Sequence, residues 1–212
     1  MPLVIAVCLG EPVEVEWKSQ KVLTGIFKTP VEGKVKVRRD NYRQADLSVH
    51  GGAHKAVYAY PSEHYEFWQS KLEAKLPPGS FGGNLTFREL LEDSVKIGDR
   101  FAIGSCILRV TQPRMPCYKL GIKFGDSGIV KHFFESGYWG FYLAVEQEGE
   151  LQSSDEIRYL GGDGHDIAVS DVTKLLLDKN SSEASFKRIL SSHLAPQMKE
   201  FVQNFGQQRY AL

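Results

Sequence analysis

The hydrophobic and polar positions of the chain follow two different periods. Up to about residue 160, short β-branched and aromatic runs alternate with Gly, Pro, Asp and Glu, which is the pattern of strands joined by turns. Helices do not alternate regularly with these runs, so the pattern predicts a mainly antiparallel sheet that can close into a barrel. The runs cover residues 4–9, 34–39, 56–60, 100–104, 106–112 and 140–145.

Two helices are expected to interrupt the strands. Tyr65, Trp68 and Leu72 recur at helical spacing between two proline-containing segments, and a second, shorter helix is predicted over residues 127–134.

The period becomes helical after the glycine-rich residues 161–164. Three segments follow, each with an N-terminal cap or proline and one apolar face, and Gly206 is expected to end the last one. His193 is placed on the apolar face of the middle segment. The pattern predicts a β domain over residues 1–162 and a three-helix appendage over residues 165–212, and the appendage is compatible with a homodimer. The segments begin at Ser170, Ser182 and Pro196.

Composition limits the partners of the protein. The 212 residues include 26 basic and 26 acidic side chains, so overall charge favours neither nucleic acid nor an anionic membrane. No apolar stretch approaches the roughly 18 residues of a membrane span. The apolar N-terminus lacks a basic region and is predicted to be a strand, not a signal peptide. We therefore expect a cytoplasmic protein.

Three widely spaced cysteines form neither a disulfide framework nor a zinc-binding CxxC pair. Cys8 and Cys106 lie inside apolar strands, so we expect both to be small buried hydrophobic side chains. Cys117 lies in QPRMPCYKL, where two prolines remove backbone donors and stiffen the chain. Arg114 and Lys119 would stabilise its thiolate, the form that binds a soft metal, and could also hold a phosphate. A buried, inert Cys117 remains the alternative.

Two glycine-rich segments add candidate ligand contacts. The pair Gly51-Gly52 allows close approach of the backbone to a ligand, and His50, His54 and Lys55 beside it could hold an anion or a metal. A simple hairpin turn is the alternative. The segment SFGGNLTF exposes backbone amides at Gly82 and an amide side chain at Asn84, which suit a pterin edge or a phosphate but also suit a turn.

Four segments occur in a specific order: VHGGAHKAVYAYPSEHYEFW, FGGNL, IGDRF and VTQPRMPCYKL. Together they resemble the MOSC domain family, named after the C-terminal domain of molybdenum cofactor sulfurases, and its bacterial stand-alone YiiM-like branch. The resemblance covers roughly residues 15–160, and the tail is similar to the three-helix module that often follows this domain.

The resemblance implies a mainly β (α+β), barrel-like domain with a few inserted helices. Cys117 would be the protein ligand to molybdenum or the residue that carries sulfur, and molybdopterin would lie against the basic and glycine-rich segments. A recombinant sample can be empty, because this cofactor must be synthesised and inserted. The implied cofactor contacts are His50, Gly51, Gly52, His54, Lys55, Gly82, Asn84, Arg114 and Lys119.

The chain departs from the family pattern at two positions. Gly83 replaces a glutamate of the family's Gly-Glu-Asn-Leu, and His54 replaces an aspartate before the motif lysine. The first change removes a carboxylate, and the second is expected to make the pocket more positive. Both changes concern the substrate more than cofactor binding.

The implied activity is reduction of small N-hydroxylated compounds, such as hydroxylaminopurines. A separate electron-donor protein would be needed, because the chain has neither a dinucleotide fingerprint nor a cysteine cluster for iron–sulfur centres. Two alternatives remain. One is a non-catalytic cofactor or sulfur carrier that uses a Cys117 persulfide, and the other is a zinc site of His50, His54 and Cys117, although the intervening glycines disfavour a helix there.

Overall fold

The computed structural model describes residues 1–39 and 52–210. Its strands are β1 (Leu3–Leu9), β2 (Val13–Trp17), β3 (Gln20–Thr24), β4 (Thr29–Val31), β5 (Val35–Val37), β6 (Val57–Pro61), β7 (Leu85–Arg88), β8 (Arg100–Ile103), β9 (Cys106–Pro113), β10 (Phe141–Gln147), β11 (Gly149–Leu151) and β12 (Ile157–Gly161). Its helices are α1 (His64–Leu72), α2 (Tyr118–Phe124), α3 (Gly128–Ser136), α4 (Val169–Leu177), α5 (Glu183–Ser191) and α6 (Pro196–Tyr210).

Eight strands form one sheet in the order β12-β8-β9-β10-β6-β7-β1-β4. All neighbouring strands in it are antiparallel except β6 and β7. The mixed α+β fold and the mainly antiparallel sheet predicted from the sequence are therefore confirmed. Two small ladders, β2–β3 and β5–β11, lie outside this sheet.

The sheet does not close into a barrel. Its two ends approach each other through an isolated bridge between Leu3 and Glu156, supported by a 3.0 Å hydrogen bond from the Val4 amide to the Asp155 carbonyl. Beyond this point β4 occupies the same edge of β1, from Val7 to Leu9. Because one strand edge can pair with only one neighbour at each residue, β4 takes the positions of β1 that a longer ladder to the β12 side would need.

An aromatic cluster holds α1 and α3 against the sheet. The Trp68 ring stacks on Phe133 with centroids 5.5 Å apart, and its indole nitrogen donates a 2.8 Å hydrogen bond to the Tyr60 hydroxyl. Phe81 packs against both Tyr60 and Phe133. All four side chains are fully buried, so large apolar areas and one satisfied polar contact fix the two helices.

The C-terminal helices differ from the sequence prediction in two details. Helix α6 continues through Gly206 to Tyr210, because packing can override the weak preference against glycine. Helix α5 ends at Ser191, so His193 lies in the following loop and is exposed rather than on an apolar face. Buried side chains of these helices join the hydrophobic cluster of the sheet, and the domain boundary after residue 162 stays a prediction. Within the described ranges, no helix is long and apolar enough to cross a membrane.

A buried carboxylate joins α1 to the turn before β10. Glu92 Oε2 lies 2.7 Å from His64 Nε2, and Glu92 Oε1 accepts a 2.8 Å hydrogen bond from the Gly140 amide. The Gly140 carbonyl in turn accepts a 3.1 Å hydrogen bond from the Arg114 amide. A buried carboxylate is stable only when its oxygens have hydrogen-bond partners, so Glu92 holds Gly140 in place. Gly140 in turn holds Arg114, at the end of β9.

We expect Gly140→Ala to destabilise the protein strongly. Gly140 has φ +66°, and a Cβ there would lie 2.4 Å from the Ala59 carbonyl oxygen. The control is Gly125→Ala, where φ is +65° but an added Cβ would meet no non-neighbouring atom of the described residues within 4 Å. Gly125→Ala should lower the free energy of unfolding by about 1–2 kcal/mol, because alanine disfavours the left-handed backbone conformation. Gly140→Ala should lower it by about 1–3 kcal/mol more, because its Cβ also overlaps the Ala59 carbonyl oxygen. Equal free energies of unfolding in urea would contradict this account.

Candidate functional site

A buried guanidinium lies at the end of β9. Arg114 is only 3% exposed, and its Cζ lies 5.2 Å from the Tyr58 ring centroid and 5.6 Å from that of Phe133. Within residues 1–39 and 52–210, its Nε and Nη1 have no hydrogen-bond partner. The guanidinium also has a hydrogen bond with Tyr142, but a buried donor without a partner is costly, so the two free donors mark a place suited to an anionic ligand.

A second buried cation lies beside Arg114. Lys28, in the connection between β3 and β4, is 9% exposed and forms no side-chain hydrogen bond or ion pair with any described residue. Burial lowers the pKa of Lys28 to about 7; Cys8 opposes this shift, and the charges of Arg114 and Lys123 add to it. The amine therefore changes charge near neutral pH, which is unusual for a lysine.

Lys123, on α2, links two loops at this site. Its Nζ donates hydrogen bonds of 3.1 Å to the Ile26 carbonyl and 2.9 Å to the Gly79 carbonyl. Burial lowers its pKa to about 8. The loop that carries Lys28 and the loop that leads to Gly82 are thus held together by one side chain.

Cys117 is the N-cap residue of α2 and is partly exposed. Burial alone would lower the pKa of Arg114, but the nearby Tyr58, Cys117 and Tyr142 raise it above its ordinary value. The structure therefore places Cys117 close to Arg114, as the sequence motif suggested. Lys119 lies in the first turn of α2 and is buried.

The other two cysteines are buried in the sheet, as expected. Burial raises the pKa of both Cys8 and Cys106 to about 11. Neither is a competent nucleophile near neutral pH, because the thiolate is the reactive form.

Gly82 and Asn84 shape the wall of the site. Gly82 has φ +79°, and a Cβ there would lie 2.9 Å from Ile26 Cγ1. Asn84 Oδ1 accepts a 3.1 Å hydrogen bond from the Tyr58 amide, while the Asn84 carbonyl accepts one of 2.7 Å from the Cys8 amide. Asn84 thus holds the backbone of the residue whose ring faces Arg114.

The structure connects His54 to β9 and Lys55 to α6. Lys55 Nζ donates a 2.9 Å hydrogen bond to Gln197 Oε1 of α6, and Thr111 donates one of 2.6 Å to the His54 carbonyl. Burial, with a smaller effect of Arg109, lowers the pKa of His54. The lowered pKa disfavours the charged imidazole, and the more positive pocket expected from His54 in place of an aspartate stays a prediction.

Of the remaining predicted residues around the glycine pair, only Gly52 is among the described residues. Gly52 has φ +96° and begins a short 3-10 turn, whereas His50 and Gly51 lie outside the described residues. The group of metal-binding side chains found in the described part of the chain contains neither His54 nor Cys117.

Sequence reasoning missed Lys28 and Lys123. Lys28 lies in GIFKTP, which has no motif that distinguishes it from a surface lysine. Lys119 and Lys123 are four residues apart and share one face of a helix, but α2 was not predicted. Helical periodicity over residues 117–125 is the sequence signal that would have predicted α2 and placed Lys123 on the same face as Lys119.

Comparison with known proteins identifies the family of this chain. The family model described as "MOSC domain" matches residues 46–158, and the chain is 38% identical over 191 residues to the protein YflK of Bacillus subtilis, which covers 89% of this chain and 86% of that protein. The chain belongs to the MOSC family. MOSC domains are associated with binding of the molybdenum cofactor.

The relatives also place this MOSC protein near YiiM. Escherichia coli YiiM is 31% identical over 176 residues, 80% of this chain and 78% of that protein. The crystal structure of YiiM from Geobacillus stearothermophilus superposes with a TM-score of 0.82 at 28% identity, over 96% of this chain and 98% of that one. A protein named reductase from Gibberella moniliformis is 30% identical over 143 residues, which are 64% of this chain and 25% of that protein.

The side chains of this MOSC protein fit an anionic, sulfur-ligated metal cofactor. Cys117 supplies a soft thiolate donor, which suits molybdenum better than hard cations. The two unpaired donors of buried Arg114 and the amine of Lys28 supply positive charge to balance a phosphate or oxyanion.

We expect Lys28→Met to stabilise the cofactor-free protein, most at low pH. The pKa of Lys28 is about 7 in the folded state, against about 10.4 in the unfolded chain. Between these values the unfolded state binds more protons, so the cost of Lys28 is full below pH 7 and declines as the pH rises. The gain from Lys28→Met should therefore be about 1–3 kcal/mol larger at about pH 6 than at about pH 9.5.

The measurement is the free energy of unfolding in urea at both pH values, with exposed Lys34→Met as the matched control. The control should show the same small effect at each pH. A gain from Lys28→Met that does not change with pH would show that the folded-state pKa of Lys28 is close to its ordinary value.

Proposed function

We propose that this protein binds the molybdenum cofactor through Cys117 and reduces N-hydroxylated compounds with electrons from a separate protein. The observation that carries the proposal is a partly exposed cysteine beside a buried guanidinium with two unpaired donors, within a MOSC domain. A thiolate and a pre-positioned positive charge are the groups that such a cofactor needs from a protein.

Each residue of the site has a distinct task in this proposal. The Cys117 sulfur would be the protein ligand of the metal. Arg114 would donate hydrogen bonds to the cofactor phosphate or to oxygen atoms on the metal, since it is held rigidly and cannot lose its charge at neutral pH. Lys28 would gain a proton when the anion binds, because a neighbouring negative charge raises the pKa of an amine.

The backbone would complete the pocket. The close contact of Gly82 with Ile26 lets this loop pass near the chain that carries Lys28. Asn84 would act indirectly, through its hydrogen bond to the Tyr58 amide. Tyr58 and Phe133 present their ring faces to Arg114 and limit its movement.

When bound, molybdenum supplies two-electron oxygen-atom transfer that breaks an N–O bond. The overall reaction takes a hydroxylamine, two electrons and two protons to an amine and water. A separate electron donor is required, because the sequence contains no dinucleotide-binding motif. The relative named reductase, of which 25% aligns with this chain, is in keeping with a redox role.

We expect near-stoichiometric molybdenum and pterin in protein from a host that makes the cofactor. Cys117→Ser should lose most of the molybdenum, because a hydroxyl is a much poorer soft-metal ligand. Cys106→Ser, in the sheet and outside the site, should retain it. Elemental analysis and pterin fluorescence measure both, and circular dichroism checks folding. Molybdenum retained by Cys117→Ser would contradict the proposed ligand, and a cyanide-labile sulfur on Cys117 without molybdenum would favour a sulfur carrier.

Loaded protein should convert a hydroxylaminopurine to the aminopurine when reduced dye supplies electrons. Cys117→Ser should reduce turnover by about 100-fold or more, since the chemical step depends on the metal. Product formation is followed by chromatography. Full molybdenum occupancy with no turnover of any hydroxylamine tested would separate cofactor binding from catalysis and support a carrier.

A further inference from the structure

Two segments far apart in sequence bring three metal-binding side chains together. Asp163 and His165 lie in the connection between β12 and α4, and His193 lies in the loop between α5 and α6. One potential ligand atom from each lies within 4.8 Å of the other two. This group is separate from the residues around Arg114 and Cys117, and it has no role in the proposed function.

Asp163 is held firmly in this group. Its side chain is 13% exposed and packs against Gly98, where a Cβ would lie 2.4 Å from Asp163 Cγ. The His165 amide donates a 3.0 Å hydrogen bond to Asp163 Oδ1. The absence of a side chain at residue 98 thus provides the space in which the carboxylate lies.

The two imidazoles complete a mixed nitrogen and oxygen donor set. His193 Nδ1 lies 2.7 Å from Asp163 Oδ2, and the His165 and His193 rings approach edge to face with centroids 4.9 Å apart. Both histidines are exposed, so their side chains can rotate without disturbing the core. The hydrogen bond between His193 and Asp163 holds two of the three donors next to each other.

Two cations beside the group are held by a residue that is not one of the three ligands. Asp166 follows His165 along the chain, its carboxylate pairs with Lys96, and its carbonyl accepts a 2.7 Å hydrogen bond from Arg188. Neither cation therefore needs Asp163 as its partner.

We propose that Asp163, His165 and His193 form a zinc site that ties the α5–α6 loop to the end of the sheet. Two imidazoles and one carboxylate, with water as the fourth ligand, are a common donor set for Zn²⁺. Bonds of about 2.0–2.2 Å place tetrahedral ligands about 3.4 Å apart. The three ligand atoms, which now lie within 4.8 Å of one another, can reach these distances when the two exposed imidazoles rotate.

The test is Zn²⁺ titration of the full-length protein by calorimetry, with Co²⁺ absorption as a second probe of geometry. We expect one Zn²⁺ per chain, at least about 10-fold weaker binding in His193→Gln and Asp163→Asn, and no change in His132→Gln, which alters an exposed histidine outside the group. Zinc should raise the melting temperature of the wild type but not of the two ligand variants.

The same titration in a Cys117→Ser background separates this site from the cofactor site. Retained zinc affinity there supports the proposal whether or not the protein binds molybdenum. Unchanged affinity in His193→Gln, or loss of binding with Cys117→Ser alone, would overturn it. Circular dichroism of each variant excludes misfolding, which is not expected for exposed histidines.

Discussion

The burial of the Arg114 charge is the constraint on which the site depends. A guanidinium in a low-dielectric interior is tolerated only where its surroundings are fixed. Tyr58 and Phe133 supply ring faces, Asn84 holds the Tyr58 backbone, and the Gly140 carbonyl accepts the Arg114 amide hydrogen bond. Through Gly140 and the buried Glu92, the same contacts reach α1, so the scaffold and the site form one continuous network of contacts.

The grouping of Arg114, Lys28 and Lys123 lowers the stability of the cofactor-free protein. The pKa values of both lysines fall because burial penalises their charged forms. Selection for stability alone would replace such side chains with apolar ones. Their retention is explained if an anion compensates the charge, because the binding free energy of the ligand then offsets the cost.

Hydrogen bonds as well as apolar packing connect the C-terminal helices to the rest of the domain, among them one of 3.1 Å from the Ala195 amide to the Thr111 carbonyl of β9. Lys55, next to the glycine pair, reaches Gln197 of α6. On another side, His193 reaches Asp163 at the end of β12. Both contacts join the helical segment to connections outside it, and a metal at the second would strengthen the attachment without altering the cofactor site. Through these contacts the C-terminal helices position the segments that carry Lys55 and Asp163, and they contribute no residue to the proposed cofactor site.

The sequence by itself determined half of the described strands (β1, β5, β6, β8, β9 and β10), most helices and the Cys117 motif, because these depend on local periodicity and on residues within one short segment. The nearness of Cys117 to Arg114 also follows from that segment. Only the tertiary structure decided that Lys28 and Lys123 join them, that the sheet stays open beside β4, and that His193 meets Asp163. These outcomes depend on contacts between segments far apart in the sequence. Hydrophobic periodicity reports only local structure and therefore does not predict such contacts.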